Sequence, residues 1–229
     1  MNVPDIIIAV DGCSSTGKSS FARLVAEKFG FTYLDSGAMY RGVTLFAQEE
    51  GLIDASGVVS SALEGRLEGL DLHFGQGNRL YLGPRCIGDE IRSMEVSSQV
   101  SHISAIPQVR AYVDGRLHGF ASGGRVVMDG RDIGTTVFPG AELKIFMTAT
   151  LEVRARRRYE ELLSKGSAPA LEEVMRNLEE RDYMDSHRET SPLRKADDAF
   201  VLDNSEMTIG EELAWVQGLV RGKFGINEG

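Results

Sequence analysis

Cysteine is scarce in this 229-residue chain: Cys13 and Cys86 are the only two. They cannot build a disulfide framework, and their spacing fits no zinc site. Proline is scarce too, at 6 residues, and no block of like charge occurs, which argues against a long disordered tail. The longest continuous apolar run, residues 6–10, is far too short to span a bilayer. Met1-Asn2-Val3-Pro4-Asp5 has no basic stretch ahead of an apolar one, so no secretory signal is expected. An excess of positive charge is also missing. Lys+Arg 25 against Asp+Glu 34 leaves −9, the wrong sign for coating nucleic acid. The expectation is a soluble cytoplasmic protein without nucleic-acid or membrane partners. Its 42% hydrophobic content suffices for a sizeable core, in one large domain or a core carrying insertions.

Lysine is under-used: of the 25 cations only Lys18, Lys28, Lys144, Lys165, Lys195 and Lys223 are lysine. Arginine's planar fork grips a carboxylate or phosphate with two parallel hydrogen bonds. Codon bias explains the ratio equally well until positions are considered.

What is present is alternation. Residues 6–10, 126–128, 143–147 and 200–202 read as buried strands, with 32–34 a shorter one. Phe21, Leu24, Val25, Lys28 and Phe29 keep helical spacing, and Pro107 opens a helix striped by Val109, Val113, Leu117 and Phe120. Thr208 and Glu211 form a capping box for the last helix. Strands alternating with helices predict an α/β fold with a parallel sheet and ligands at the strands' carboxyl ends. Two stretches break the rhythm. Residues 70–82 alternate around a glycine-containing turn and read as an inserted hairpin. Ser164-Lys165-Gly166-Ser167-Ala168-Pro169, between two charged helices, reads as the tip of a lid.

The strongest motif is Gly12-Cys13-Ser14-Ser15-Thr16-Gly17-Lys18-Ser19, between a strand and a helix. It matches the phosphate-binding loop, whose glycines permit unusual backbone angles and whose amides face an anion. Lys18 then reaches the β/γ oxygens of a nucleoside triphosphate, and Ser19 ligates Mg²⁺. Ser36 and Arg41, around a helix start, point to a second anion site. Val126-Val127-Met128-Asp129-Gly130-Arg131-Asp132 ends a strand in two aspartates flanking an arginine: a carboxylate to order the magnesium shell and a cation for a transferring phosphoryl group. Arg154, Arg157 and Arg158 share a helix face, and Arg181, Asp185 and Arg188 form a second stripe if their helix persists. Salt bridges to neighbouring glutamates are the default explanation for both sets. Flanking the tip, they also fit a lid that brings positive charge over phosphates. His73, His102, His118 and His187 show no metal or catalytic spacing.

These motifs, in this order, resemble the bacterial cytidylate kinase family of P-loop nucleoside monophosphate kinases. The most specific pieces are residues 34–41, Asp129-Gly130-Arg131-Asp132-Ile133-Gly134-Thr135-Thr136-Val137-Phe138-Pro139, and Arg181-Asp182. The resemblance implies a five-stranded parallel core (1–35, 107–153 and 186–229), a monophosphate-binding part with its insert near 36–106, and a helical lid near 154–185. It implies transfer of the γ-phosphate of Mg·ATP to CMP or dCMP. Gly12, Ser14, Ser15, Thr16, Gly17, Lys18, Ser19 and Ser20 would bind ATP. Ser36, Arg41 and Arg131 would hold the CMP phosphate, with Asp129 beside them. Ser101, Arg110, Asp132 and Arg188 would read cytosine, and Arg181 with Asp185 the ribose. Lys18, Arg131 and Arg157 are the catalytic candidates. Cys13 and Ser15 stand where the family more often has proline and glycine, and Ser20 where threonine is usual. A uridylate- or shikimate-type kinase is the nearest alternative, and a nucleotide-dependent switch a more distant one. Monomer is the expectation, since no large exposed apolar pattern is visible.

Overall fold

The computed structural model describes residues 3–164, 166 and 169–226. The predicted lid tip therefore lies partly outside the described residues, at Lys165, Ser167 and Ala168. The chain forms two compact units, one of Leu34–Ser122 and one of the residues before and after it.

In the flanking unit, the apolar run after Pro4 becomes β1 (Ile7–Gly12), two residues longer at its end than the run itself. The first glycine of the phosphate loop is thus its last residue. Helix α1 (Lys18–Phe29) follows, stopped by Gly30 in a left-handed conformation. Strand β2 (Thr32–Asp35) leads into the second unit. There α2 (Ser36–Glu49) is capped by the Asp35 carboxylate, which accepts from the Ala38 amide at 2.9 Å. A short α3 (Ala62–Arg66) precedes a small antiparallel sheet of β3 (Leu72–Phe74), β4 (Leu80–Leu82) and β5 (Arg85–Cys86). The expected hairpin is there, with His73 opposite Tyr81 and their rings stacked 5.7 Å apart. The third strand has only two residues, too few to show an alternating pattern. Helices α4 (Met94–Ser104) and α5 (Pro107–Ala121) complete the unit. Val109, Val113 and Leu117 are buried as the stripe predicts, while the half-exposed Phe120 meets Phe74 edge-on.

The chain then returns to the flanking unit as β6 (Val126–Gly130), a π-helical turn (Ile133–Val137), and β7 (Leu143–Thr148). Two charged helices follow, α6 (Leu151–Ser164) and α7 (Leu171–His187), then β8 (Phe200–Asp203) and α8 (Ile209–Phe224). The capping box at Thr208 and Glu211 forms as predicted. The sheet order is β2-β6-β1-β7-β8, with β1 between parallel partners β6 and β7. This central strand is apolar on both faces, as burial between helices demands. Its side chains pack with Phe21, Val25, Phe29, Val216 and Val220 into one core. A smaller cluster, Ala155, Leu162, Val174 and Leu178, holds α6 against α7. Among the described residues no helix is long and apolar enough to cross a membrane.

Candidate functional site

The phosphate loop sits at the carboxyl end of β1, where parallel sheets place ligands. Its shape depends on backbone angles. Gly12 has φ +149°, and a Cβ there would lie 2.1 Å from the Met147 carbonyl oxygen on β7. Gly17, with φ +88°, is the left-handed entry to α1. Ser15 also takes a left-handed conformation, φ +60°. That angle costs a serine about 1 kcal/mol. At Gly12 no side chain fits. Gly12→Ala must break the β1–β7 register at its end, so we expect the variant to melt about 10 °C lower and to lose ATP binding. A thermal melt with and without Mg·ATP checks both.

Lys18 is buried, with Nζ donating to the Cys13 carbonyl and to Thr16 Oγ1, the latter at 3.3 Å. Burial, aided by the nearby Arg131 charge, lowers its amine to about 7. Ser19 Oγ donates to Asp129 Oδ2 at 2.8 Å, joining the start of α1 to the end of β6. Tyr33 donates to the other oxygen of Asp129, also at 2.8 Å. Sequence reasoning did not find Tyr33; it reads only as part of a short strand. Ser20 is on the exposed side of α1.

Ser14 is a meeting point. Its hydroxyl accepts from Arg131 Nη2 at 2.7 Å, its carbonyl from Arg154 Nη1 at 3.2 Å, and its amide donates to Asp182 Oδ1 at 3.3 Å. Arg154 Nη1 also pairs with Asp182 Oδ2 at 2.5 Å. A carboxylate from α7 therefore lies on a phosphate-loop amide, and Arg154 of α6 bridges that carboxylate and the Ser14 carbonyl. Arg157 turns elsewhere. Its guanidinium donates to the Thr16 carbonyl at 3.2 Å and to both oxygens of Asn204. Arg158 pairs with Glu161 on its own helix, as the default explanation for the cluster holds.

The turn after β6 and the carboxyl end of α7 carry the other predicted groups of this unit. Arg131 Nε donates to Asp185 Oδ2 at 2.9 Å. Burial alone would raise the Asp185 carboxyl, but Arg131, Arg181 and Arg188 outweigh it and hold the group below the usual carboxylate range. Arg188 Nη2 donates to Asp132 Oδ1 at 3.1 Å, with both side chains buried. The second stripe persists only in part: Arg181 and Asp185 lie on α7, which stops at His187, and Arg188 is its C-cap in an extended conformation, ψ 142°. Asp11, which sequence reasoning passed over, accepts from the Ile133 amide at 2.8 Å and the Gly134 amide at 2.7 Å. Burial pushes its carboxyl up to about 6, against those two hydrogen bonds.

The remaining predicted residues belong to the Leu34–Ser122 unit. Ser36 opens α2 and is buried. Arg41 pairs with Asp35 at 2.7 Å. Ser101 is buried on α4. Arg110, almost fully buried on α5, donates to the Ser104 carbonyl at 3.3 Å, its guanidinium 5.3 Å from the Tyr40 ring centroid. Arginine's planar fork is pre-organised, so little freedom is lost per hydrogen bond it forms.

Comparison with known proteins identifies a family. The family described as cytidylate kinase matches residues 8–221. A cytidylate kinase of Bacteroides fragilis is 47% identical over 217 residues, covering 92% of this chain and 94% of that one. One from Flavobacterium johnsoniae is 44% identical over 220 residues, covering 94% and 96%. Among solved structures, an uncharacterized protein from Eubacterium ventriosum superposes with a TM-score of 0.50 at 10% identity, over 95% of this chain and 99% of that one; this likeness concerns the fold alone. With a phosphate loop, an Arg131-Asp132 turn beside it and a family match across nearly its whole length, the chain belongs to the cytidylate kinase family.

Proposed function

We propose that this enzyme transfers the γ-phosphoryl group of Mg·ATP to CMP or dCMP, giving the diphosphate. The observation that carries the reading is one turn of chain with two roles. Arg131 touches the phosphate loop through Ser14, while the adjacent Asp132 faces Arg188. A cation at the transferring phosphoryl group and a carboxylate for the acceptor's base thus come from neighbouring residues. An ionised carboxylate accepts the amino protons that cytosine has and uracil lacks.

The phosphate-loop amides, Lys18 and Ser19 hold the ATP phosphates. Ser19 and Asp129 offer the oxygen donors that suit Mg²⁺, which would share its remaining positions with phosphate oxygens and water. When bound, that ion supplies charge neutralisation on the β- and γ-phosphates. Arg131 holds the phosphate oxygens, together with Ser36 and Arg41. Ser101, Arg110, Asp132 and Arg188 read the base; Arg181 and Asp185 take the ribose. Arg154 joins Arg157 as a lid cation, because it already lies on Ser14. Residues near 36–106 form the monophosphate-binding part and residues near 154–185 the lid. The acceptor phosphate is already anionic, so positioning and charge neutralisation do the chemistry without a general base. We propose a monomer working in the cytoplasm.

ADP release from Mg·ATP tests the reading, with CMP, dCMP, UMP, AMP and shikimate offered separately. Strong stimulation by CMP and dCMP over UMP supports it. Turnover with UMP or shikimate alone removes the acceptor assignment, and indifference to every acceptor removes the kinase reading. Asp132→Asn should raise KM for CMP by about 10- to 100-fold. The same steady-state assays should show its preference for CMP over UMP shrinking accordingly.

A further inference from the structure

Asp11 grips the chain on both sides of the two residues just assigned to the acceptor. Its backbone pairs with Gly130 in the β1–β6 register, which fixes the chain before Arg131. Its carboxylate accepts from the amides of Ile133 and Gly134, one to each oxygen, which fixes the chain after Asp132. Arg131 and Asp132 are therefore a two-residue span pinched by a single residue of the central strand. Asp132 itself has φ −145° and ψ 26°, outside the regular helix and strand regions.

The chemistry of the grip is selective. An ionised carboxylate accepts from two amides at once, whereas an asparagine has one oxygen and would point N–H donors at the other amide. The seat is tight as well. A Cβ on Gly134 would lie 3.3 Å from Asp11 Oδ2 and 3.1 Å from Lys144 Cδ. Burying this carboxylate works against its charge, so stability alone does not call for it.

We propose that Asp11 is a positioning residue for acceptor recognition, setting Asp132 against Arg188 and Arg131 against Ser14 by pinching the chain around them. It touches neither substrate. The inference rests on the reading of Asp132 as the residue that recognises cytosine. It also links the strand that carries the phosphate loop to the turn that discriminates the base.

Steady-state kinetics of the whole enzyme with Mg·ATP test it, comparing wild type with Asp11→Asn. We expect KM for CMP to rise about tenfold and the preference for CMP over UMP to fall about tenfold, as loss of aim at one hydrogen-bonding group implies. KM for ATP should stay within twofold, since the phosphate loop keeps its own backbone. Gly134→Ala presses on the same carboxylate from the other end and should give the same split; it also serves if Asp11→Asn does not fold. Wild-type enzyme that does not prefer CMP would overturn the reading of Asp132, and this inference with it. Wild-type enzyme that prefers CMP, with a folded variant keeping its selectivity or raising both KM values together, would overturn the inference alone.

Discussion

Replacing Lys18 by methionine will lower kcat for CMP phosphorylation about a thousandfold, on the order of 4 kcal/mol in the transition state. The fold should survive, because methionine has similar length and no charge to bury. The argument starts from the enclosure of Nζ between the Cys13 carbonyl and Thr16 Oγ1, inside a loop whose amides also face the anion. Burial and Arg131 lower the amine to about 7, so much of it is neutral above that pH. Triphosphate brings opposite charge and raises it again. ATP binding must therefore take up protons. At pH 8 the uptake should approach roughly 0.9 proton per site, and near pH 6 it should fall to about 0.1. Calorimetry in two buffers of different ionisation enthalpy measures it. Uptake at pH 8 should vanish in Lys18→Met. If it persists there, another group titrates; if kcat drops less than tenfold, Lys18 is not the cation that neutralises the transferring group.

The loop around Lys18 was legible in the sequence because its signal is local. Two glycines five residues apart, a lysine and a hydroxyl between an apolar run and a helical pattern leave few other readings. The same holds for Pro107 at a helix start and for the Thr208–Glu211 box, each decided within four residues. Ser15 shows the limit of pattern. Its left-handed angle is invisible in the sequence itself and emerges only when the loop is built.

What was not legible depends on partners far along the chain. Ser19 and Asp129 are 110 residues apart, and Asp11 and Ile133 are 122. Periodicity reports which face of an element is buried, not which group of another element it meets. Arg154, Arg157 and Arg158, three of the four arginines of α6, make the point: their spacing puts them on one face, yet they divide among Ser14, Thr16 and Glu161. Asp182, in a helix crowded with acidic residues, stands out only through the Arg181-Asp182 pair of the family resemblance, which names no partner for it. Only the fold shows it on the Ser14 amide.

Arg131→Lys should lose between about a hundredfold and a thousandfold in kcat while melting within about 5 °C of wild type. The arginine works in two directions at once: Nε holds Asp185 at 2.9 Å and Nη2 holds Ser14 Oγ at 2.7 Å. A lysine ammonium is a point charge and reaches one of these places but not both. Because it keeps the charge, the buried Asp185 carboxylate still has compensation, and the fold loses little. Arg131→Ala removes that compensation too. Taking one partner from a buried pair costs about 3–5 kcal/mol, so this variant should melt clearly lower as well as turn over slowly. The pair of variants separates the two duties of one side chain. Steady-state turnover with Mg·ATP and CMP, read beside thermal melts, shows the split. If Arg131→Lys keeps kcat within tenfold, charge alone suffices at this position, and the link from the acceptor turn to the phosphate loop through Ser14 is not what positions the transferring group.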